Sequence, residues 1–256
     1  RHGIILAKSI PAKKFHIKTG ETILEAKQKC PELILVPPNY NLYEKCSKAF
    51  MDILRQYSPT VEQYSIDEAF VDMTGTEGLW GDPVTAAYRM KDQIRDTLGF
   101  TVNIGISENK LLAKMASDFQ KPDRVHTLWR EELRDKMWPL PVSELYMAGR
   151  SSVEILKKLE INTIGDLARS EEALIELHLK SHGRMLWEFA NGIGDDQVQS
   201  VPDEAKGIGN STTLAEDAVT YEEAEKVLKE IEALGLDCGM IGKVTEKKEK
   251  KIYVME

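Results

Sequence analysis

Residues 64–72 of this 256-residue chain read Tyr-Ser-Ile-Asp-Glu-Ala-Phe-Val-Asp, and the two adjacent carboxylates decide how the fold is interpreted. Apolar and aromatic residues surround Asp67 and Glu68 in a pattern typical of β-structure. Acidic residues form strands poorly, and burying them without partners costs free energy. The pair is therefore open to two interpretations. It forms a hairpin turn, or it binds a hard divalent cation such as Mg²⁺, which prefers oxygen ligands.

A strand and a helix are predicted downstream of this pair. Residues 100–106 alternate apolar and polar positions, which indicates a half-buried strand. A helix follows over 109–120, with Ser107 as its N-cap and Lys121-Pro122 at its end. Strand and helix alternate in β–α–β–α order around residues 61–125, a pattern typical of a sheet with helices on one face.

Three basic side chains on or beside the predicted helix, Lys110, Lys114 and Lys121, are placed to meet phosphate groups. Basic residues on a helix more often form a solvated face, and for each lysine that alternative stays open. A lysine immediately before a proline at a helix end is the less generic of these positions.

Residues 145–167 predict two short helices joined by a turn at 160–162, with Gly149 before the first helix. Such a segment is either a simple pair of helices or a helix-hairpin-helix. The second kind grips a DNA backbone through main-chain amides at the Gly149 turn, independently of base sequence.

Elsewhere the periodicity predicts a mainly helical chain with few strands. Helices are expected at 22–30, 42–56, 83–98, 131–137, in several pieces over 151–191, and from Tyr221 to about residue 234. Strands are expected at 32–36, within 61–73, at 207–214 and in a charged ribbon at 243–255. Residues 192–209, rich in Gly and Asp, are interpreted as a linker.

Composition excludes several classes of protein. The hydrophobic fraction is 42% and the charged fraction 30%, which is ordinary for a soluble protein and unlike a collagen-like, coiled-coil or disordered chain. No run approaches the ~18 apolar residues of a membrane span, and no signal peptide is visible. Three cysteines without Cys-x-x-Cys spacing argue against a disulfide framework or thiolate metal site and fit a reducing cytoplasm.

The net charge of −8 does not exclude an anionic partner, because the charge is unevenly distributed. Residues 203–237 hold ten acidic residues against three lysines, whereas residues 1–20 hold five basic residues and no acid. The chain therefore combines an electropositive N-terminal end with one acidic segment.

Taken in order, these segments resemble the Y-family, translesion-type DNA polymerases, closest to the DNA polymerase IV and UmuC-like branch. The resemblance runs from about residue 3 to residue 214. Its most specific elements are Ser65–Phe70, Asn103–Ser107 with Asn109-Lys110, and Ala113–Ser117 with Lys121-Pro122. Residues 8–20 also resemble the fingers motif of the family.

The resemblance implies an α+β fold: a right-hand polymerase with a ferredoxin-like palm sheet, helical fingers, a helix-hairpin-helix thumb and a partial α/β little finger. The expected boundaries are 1–39 for partial fingers, 40–127 for the palm, 128–197 for the thumb, and 198–256 for a linker and partial little finger.

The resemblance also implies an activity: Mg²⁺-dependent nucleotidyl transfer to a primer 3′-hydroxyl by a DNA-dependent polymerase of the lesion-bypass type. Asp67 and Glu68 become the catalytic, metal-binding pair, with two Mg²⁺ ions in the complete enzyme. Lys13 and Lys121 face the triphosphate, and Gly149, Arg150, Ser151 and Lys157 face DNA. The expected partners are primer–template DNA, a deoxynucleoside triphosphate and, from the family alone, the sliding clamp. We expect a cytoplasmic monomer without membrane contact.

This sequence departs from the family pattern at several places. Ile10 stands where the family has a tyrosine that contacts the triphosphate, and His16 and Met147 stand where it has glycines. The metal-binding aspartate of an N-terminal Asp-x-x-x-Phe/Tyr motif is not found, and the likeness fades after Glu216. Segments missing at both ends are expected, and the chain as numbered is expected to be inactive.

Two rival interpretations remain at this stage. A non-catalytic DNA-binding paralogue would explain Ile10 and the absent aspartate, but it leaves Asp67-Glu68 and Lys121 without a role. A nucleotide cyclase with a similar sheet gives no role to the helix pair at 145–167 and is disfavoured.

Overall fold

The computed structural model describes residues 3–201 and 219–232, and the chain divides into compact units of residues 1–200 and 201–256. In the first unit helices alternate with short strands as far as residue 127, and helical turns follow. The elements are α1 (Ile10–Lys13), α2 (Ile23–Lys29), α3 (Tyr40–Tyr57), β1 (Val61–Gln63), β2 (Ala69–Val71), α4 (Glu77–Trp80), α5 (Pro83–Leu98), β3 (Ile104–Ile106), α6 (Lys110–Asp118), β4 (Val125–Thr127), α7 (Arg150–Lys158), α8 (Ile164–Arg169), α9 (Glu172–Ala190) and, in the second unit, α10 (Tyr221–Glu232).

The first 39 residues build a small apolar cluster around α1 and α2. Thr22 and Glu25 form a capping box at the start of α2, which satisfies two of its free amides and confirms the predicted helix. The buried members of this cluster are Ile5, Ala12 of α1, Ile17 and Ala26 of α2. His16 has a φ of 57°, so this position keeps the left-handed backbone that a glycine adopts most easily.

The strand predicted at 32–36 is wrong. The segment is irregular, and Ile34 and Val36 are 86% and 82% exposed. A strand exists only through ladder hydrogen bonds to a neighbour, and no described strand lies beside this segment. Apolar β-forming residues therefore misled the prediction here.

The predicted helices at 42–56 and 83–98 are confirmed as α3 and α5, which pack against each other. Asn39 and Asp82 cap their N-termini. Both helices bury one apolar face, and β1 and β2 lie against it as an antiparallel hairpin with Val61 opposite Val71. The predicted strand region at 61–73 is thus two strands.

Strands β3 and β4 are parallel, with Ile104 opposite Val125, and α6 connects them. Helix and strand approach closely at Gly105, where an added Cβ would lie 1.9 Å from the carbonyl oxygen of Ala113. The predicted N-cap at Ser107 is wrong. The Asn109 side chain accepts the capping hydrogen bond from Leu112 N, while the Ser107 hydroxyl donates to the Leu128 carbonyl.

The described strands do not join into the single sheet that the resemblance implies. They form two sheets of two strands each, β1–β2 and β3–β4. Of the strand predicted over 100–106, the structure forms only Ile104–Ile106. These are the residues that pair with β4, starting with Ile104 opposite Val125. A mixed α/β architecture is nevertheless what the first unit shows.

The helical character predicted for 131–137 and 151–191 is confirmed, and turns connect the two parts. A 3₁₀ turn at Arg130–Glu132 and a π-type turn at Leu133–Met137 replace the regular helix expected at 131–137, and α7, α8 and α9 follow. Their apolar faces share one core with α6, in which Leu112, Met137, Leu156, Ile164 and Leu186 are fully buried. Helix α9 is kinked at Lys180, whose φ of 57° and ψ of −146° are not helical.

The segment that leaves α9, residues 192–199, is tied to the body of the unit, and we call it the strap. Asn109 Nδ2 donates to the Gly192 carbonyl at 3.0 Å, and Lys110 Nζ lies 2.8 Å from Asp195 Oδ2. Gln199 N donates to Glu62 Oε2 at 2.8 Å. The first residues of the predicted linker are therefore held against the first unit by hydrogen bonds and an ion pair.

In the second unit the structure describes α10, which confirms the helix predicted from Tyr221. The strand predicted at 207–214 and the ribbon predicted at 243–255 lie outside the described residues. Among the helices of the described ranges, none has the length and apolar character to span a bilayer.

Candidate active site

Asp67 and Glu68 lie in the loop of the β1–β2 hairpin, so the turn interpretation of this pair is correct. Tyr64 N and Ser65 N both donate to the Glu68 carbonyl, at 3.0 and 3.1 Å, and close the turn. Ser65 Oγ donates to Asp67 Oδ1 at 2.8 Å. The turn leaves Asp67 exposed and Glu68 half-buried, so it presents both carboxylates and does not exclude cation binding.

A groove of about 1030 Å³ runs between the two sheets. Its lining brings together Asp67, Glu68 and Lys121, which are far apart in the sequence. Lys110 and Lys114 line it as well. Lys13, exposed at the end of α1, and the predicted DNA-facing residues after 148 lie outside this lining.

Two of the lysines predicted to meet phosphates are engaged by carboxylates. Lys110 Nζ lies 3.1 Å from Glu62 Oε2 and 2.8 Å from Asp195 Oδ2, and its side chain is 16% exposed. Burial lowers the pKa of Lys110, but the hydrogen bonds that its ammonium donates to Asp195 and Glu62 outweigh this effect and raise the pKa above its ordinary value. Lys110 therefore stays charged and joins β1, α6 and the strap.

Lys114 bridges the hairpin to α6. Its Nζ lies 2.5 Å from Glu68 Oε1 and 3.2 Å from Asp118 Oδ2. Burial lowers the pKa of Lys114, and the hydrogen bonds to Glu68 and Asp118 more than reverse this effect. The Glu68 carboxylate is thus held in place by a cation and partly neutralised.

Lys121 is the more available cation of this group. Its side chain is 59% exposed, and its Nζ contacts Asp118 Oδ1 at 2.7 Å. Burial raises the pKa of Asp118, but the hydrogen bonds from Lys121 and Lys114 lower it below the ordinary value. An anion entering the groove competes with one half-exposed carboxylate for Lys121, a weak competitor in water.

The residues present fit a divalent cation in part. Asp67 offers an exposed carboxylate, and Glu68 beside it offers the oxygen that Lys114 does not hold. Across the described ranges, no three side chains of His, Cys, Asp or Glu cluster closely enough to hold a metal ion. The donor set therefore suits one weakly held hard cation and is too small for two.

Sequence reasoning missed a tyrosine pair next to the carboxylates. The hydroxyl groups of Tyr64, in the hairpin, and Tyr146, before α7, are hydrogen bonded to each other. Tyr146 stacks on Phe189, with 6.3 Å between the ring centroids. Burial and the contact with Tyr64 raise the pKa of Tyr146 to about 12. No motif signals this bridge, because the partners are 82 residues apart.

Helices α7 and α8 form the predicted helix pair, with Gly149 as the N-cap of α7. Arg150 is 95% exposed, and Ser151 and Lys157 are exposed too. Met147, which stands where a glycine was expected, has a φ of 66° and so keeps the left-handed turn before the helix. The turn geometry survives the substitution.

The chain is similar in sequence to proteins of known family. Residues 1–118 match the model described as the impB/mucB/samB family. The chain is 47% identical over 229 residues to DNA polymerase IV of Clostridium acetobutylicum, and 40% identical over 252 residues to DNA polymerase IV of Alkaliphilus oremlandii. The matches cover 89% and 98% of this chain but 57% and 62% of those relatives, so the chain spans about three fifths of their length.

Solved structures of one family share the fold. A chimeric Y-family DNA polymerase built on Dbh superposes with a TM-score of 0.78 at 26% identity, covering 93% of this chain and 70% of that one. For DinB from Sulfolobus solfataricus the TM-score is 0.67 at 28% identity, covering 74% and 56%. Fold and sequence agree: the chain is similar to the Y-family of DNA polymerases, in its DinB-like, DNA polymerase IV branch.

Proposed function

We propose that the full-length protein is a DNA-dependent DNA polymerase of the lesion-bypass type, which adds a nucleotide to a primer 3′-hydroxyl during damage tolerance. The observation that carries this proposal is the groove in which Asp67, Glu68 and Lys121 converge. Relatives named DNA polymerase IV support it, as does the fold shared with the insertion ternary complex of Dbh DNA polymerase (TM-score 0.70, 26% identity). They also favour a catalytic protein over a non-catalytic paralogue.

Within this proposal the regions have separate roles. Residues 1–39 are partial fingers, 40–127 the palm, 128–197 the thumb, and 198–256 a linker and partial little finger. Separate apolar clusters below α1–α2 and α3–α5 support the first boundary. The core of the helical region reaches back to Leu111 and Leu112 of α6, so the palm and the thumb share one apolar core.

The carboxylate pair performs the chemistry of the site in this proposal. Asp67 and Glu68 hold Mg²⁺, of which the complete enzyme uses two ions. When bound, Mg²⁺ lowers the pKa of the attacking hydroxyl and stabilises the in-line displacement of pyrophosphate. Lys114 orients Glu68, and Ser65 orients Asp67. Lys121 and Lys13 bind the triphosphate of the incoming nucleotide as cations.

Primer extension by the full-length protein tests this assignment. Asp67→Ala removes a carboxylate that the proposal makes essential, so we expect Mg²⁺-dependent extension to fall by about a thousandfold or more. Asp52→Ala is the matched control, because Asp52 is a half-exposed carboxylate on α3 outside the groove lining. Equal extension by the wild type and the Asp67 variant would refute the assignment.

The helix pair α7–α8 binds the backbone of primer–template DNA in this proposal, through Gly149, Arg150, Ser151 and Lys157. Because phosphates are the targets, affinity falls as salt rises and depends little on base sequence. We expect Arg150→Ala with Lys157→Ala to weaken binding similarly on unrelated duplexes, measured by fluorescence anisotropy at two salt concentrations. Lys48→Ala, an exposed lysine on α3, serves as control. A loss confined to one duplex would contradict backbone binding.

Three further properties of the whole protein stay predictions. They are docking on the sliding clamp, a monomeric state and a cytoplasmic location. Gel filtration with light scattering checks the monomer, and a pull-down with purified clamp checks the partner.

A further inference from the structure

The loop that carries Lys121, residues 119–124 between α6 and β4, is held by side chains that the proposed chemistry does not use. Lys121 projects from this loop into the groove that Asp67 and Glu68 also line. Its side chain is more than half exposed, so packing of the side chain itself does little to orient the ammonium group. The backbone of the loop must set its position.

On one side the loop is anchored to α5 by a buried ion pair. Lys91 Nζ lies 2.9 Å from Asp123 Oδ1, and the Lys91 side chain is 6% exposed. The same ammonium contacts Asp92 Oδ1 at 2.9 Å, and Arg95 Nη1 approaches Asp123 Oδ2 at 3.7 Å. Burying a lysine so deeply is costly unless carboxylates compensate it, so the Lys91–Asp123 contact is strongly favoured once the loop is in place.

On the other side the loop is anchored to the residue before β3. Asn103 Nδ2 donates to the carbonyl oxygens of Gln120 and Ser117, at 2.7 and 3.0 Å. Asn103 Oδ1 accepts from Arg124 N at 3.2 Å. These contacts bracket Lys121 in the chain, one residue before it and three residues after it.

The ion pair between Lys91 and Asp123 constrains the backbone conformation at Asp123. Its φ of 58° is left-handed, a conformation that an L-residue adopts at a cost. The carboxylate contacts with Lys91 and Arg95 offset that cost and lock a sharp bend two residues after Lys121. Without them, the bend and the lysine before it are free to adopt other conformations.

We propose that Lys91 and Asp123 are positioning residues for nucleotide binding, because they hold the loop so that the Lys121 ammonium faces a triphosphate in the groove. This inference rests on the proposed function, in which Lys121 contacts that triphosphate. Asp123 also lines the groove, but its carboxylate is held by Lys91 and Arg95, and in this scheme neither Lys91 nor Asp123 binds the nucleotide. Both act through the backbone between 121 and 123.

Single-nucleotide insertion by the full-length protein tests the inference. Asp123→Asn keeps the size of the side chain and removes its charge, and we expect the KM for the nucleotide to rise about tenfold with kcat nearly unchanged. Lys91→Met should act in the same direction, and Lys91→Arg should restore most of the affinity. Asp92→Asn is the matched control: it removes the other partner of Lys91 but lies off the loop, so its KM should change less than about twofold.

A double-mutant cycle with Lys121→Ala separates positioning from general stability. If Asp123 acts through Lys121, Asp123→Asn adds no further increase in KM once Lys121 is truncated. An increase that persists in the Lys121→Ala background, or no increase in the single variant while Lys121→Ala alone raises KM, would overturn the inference and leave the proposed function standing. A wild type without insertion, or Lys121→Ala with unchanged KM, would instead refute the role of Lys121 and the inference with it.

Amide hydrogen exchange gives a readout independent of activity. We expect faster exchange at residues 121–124 in Asp123→Asn than in Asp92→Asn, since the loop loses its ion pair with α5 in the first variant alone. Equal exchange in the two variants would contradict the anchoring role, whatever the melting temperatures.

Discussion

Gly105→Ala should force β3 and α6 apart. The new Cβ would lie 1.9 Å from the Ala113 carbonyl oxygen and 2.5 Å from Ser117 N, and both are backbone atoms that no rotamer change can move. Ordinary contact begins at 3.4 Å, so the two elements must separate by about 1.5 Å. Helix α6 resists this movement because Leu112 and Ala116 are fully buried in the core on its other side.

The cost follows from this geometry. Overpacking a core typically costs ~1–3 kcal/mol, and two backbone clashes place Gly105→Ala near ~3 kcal/mol. Each kcal/mol lowers the melting temperature of a unit of this size by ~2–4 °C, so we expect a decrease of about 6–12 °C.

Thermal unfolding of the 256-residue chain, followed by circular dichroism, measures this decrease. Gly78→Ala is the control, since a Cβ at this exposed position in α4 meets nothing within 4 Å and alanine favours a helix. The control should melt with the wild type or slightly above it. A Gly105→Ala protein that melts within about 2 °C of the control would refute the close-approach argument.

Three other outcomes are expected. Lys180→Gly should stabilise the chain by ~1 kcal/mol in urea denaturation, because the gain from relieving backbone strain exceeds the entropic cost of glycine, and Lys180→Ala should gain little. Asn109→Ala should cost ~1–2 kcal/mol, since it removes the α6 cap and a buried bond to Gly192. Because the pKa of Tyr146 is raised to about 12, the folded chain keeps a proton that the unfolded chain loses near pH 10. Stability should therefore fall between about pH 10 and 12, and Tyr146→Phe should flatten this fall.

Long amphipathic helices were the readily predicted part of this fold. The apolar spacing in α3 and α5 reports directly which face is buried, so both were found within two residues of their bounds. Strands were harder to predict, because a strand needs a neighbouring strand to pair with, and the local sequence does not indicate which segment that is. Residues 32–36 have strand-forming side chains but no neighbouring strand within the described part of the chain, while 104–106 acquire one from residues 125–127.

At the candidate site, two acids that interrupt an apolar β pattern and a lysine before a proline at a helix end marked Asp67, Glu68 and Lys121 as candidates, and all three line the groove. The long-range partners of Lys110 and Lys114 were not predictable. Glu62, Asp195 and Glu68 lie between 46 and 85 positions away, and periodicity carries no information over that range. A positive charge on a helix looks the same in a sequence whether it meets a ligand or a carboxylate of its own chain.

The strap also determines how mechanical load enters the first unit. A pull on the chain beyond residue 200 reaches Gln199 first and is taken up by Glu62 at β1, then by Lys110 through Asp195. Along the chain these contacts lie between residue 200 and α9, so tension reaches them before it reaches α9. Tension from the C-terminal side is therefore felt earliest at β1 and at the start of α6, where Lys110 lines the groove, and last in the helical core.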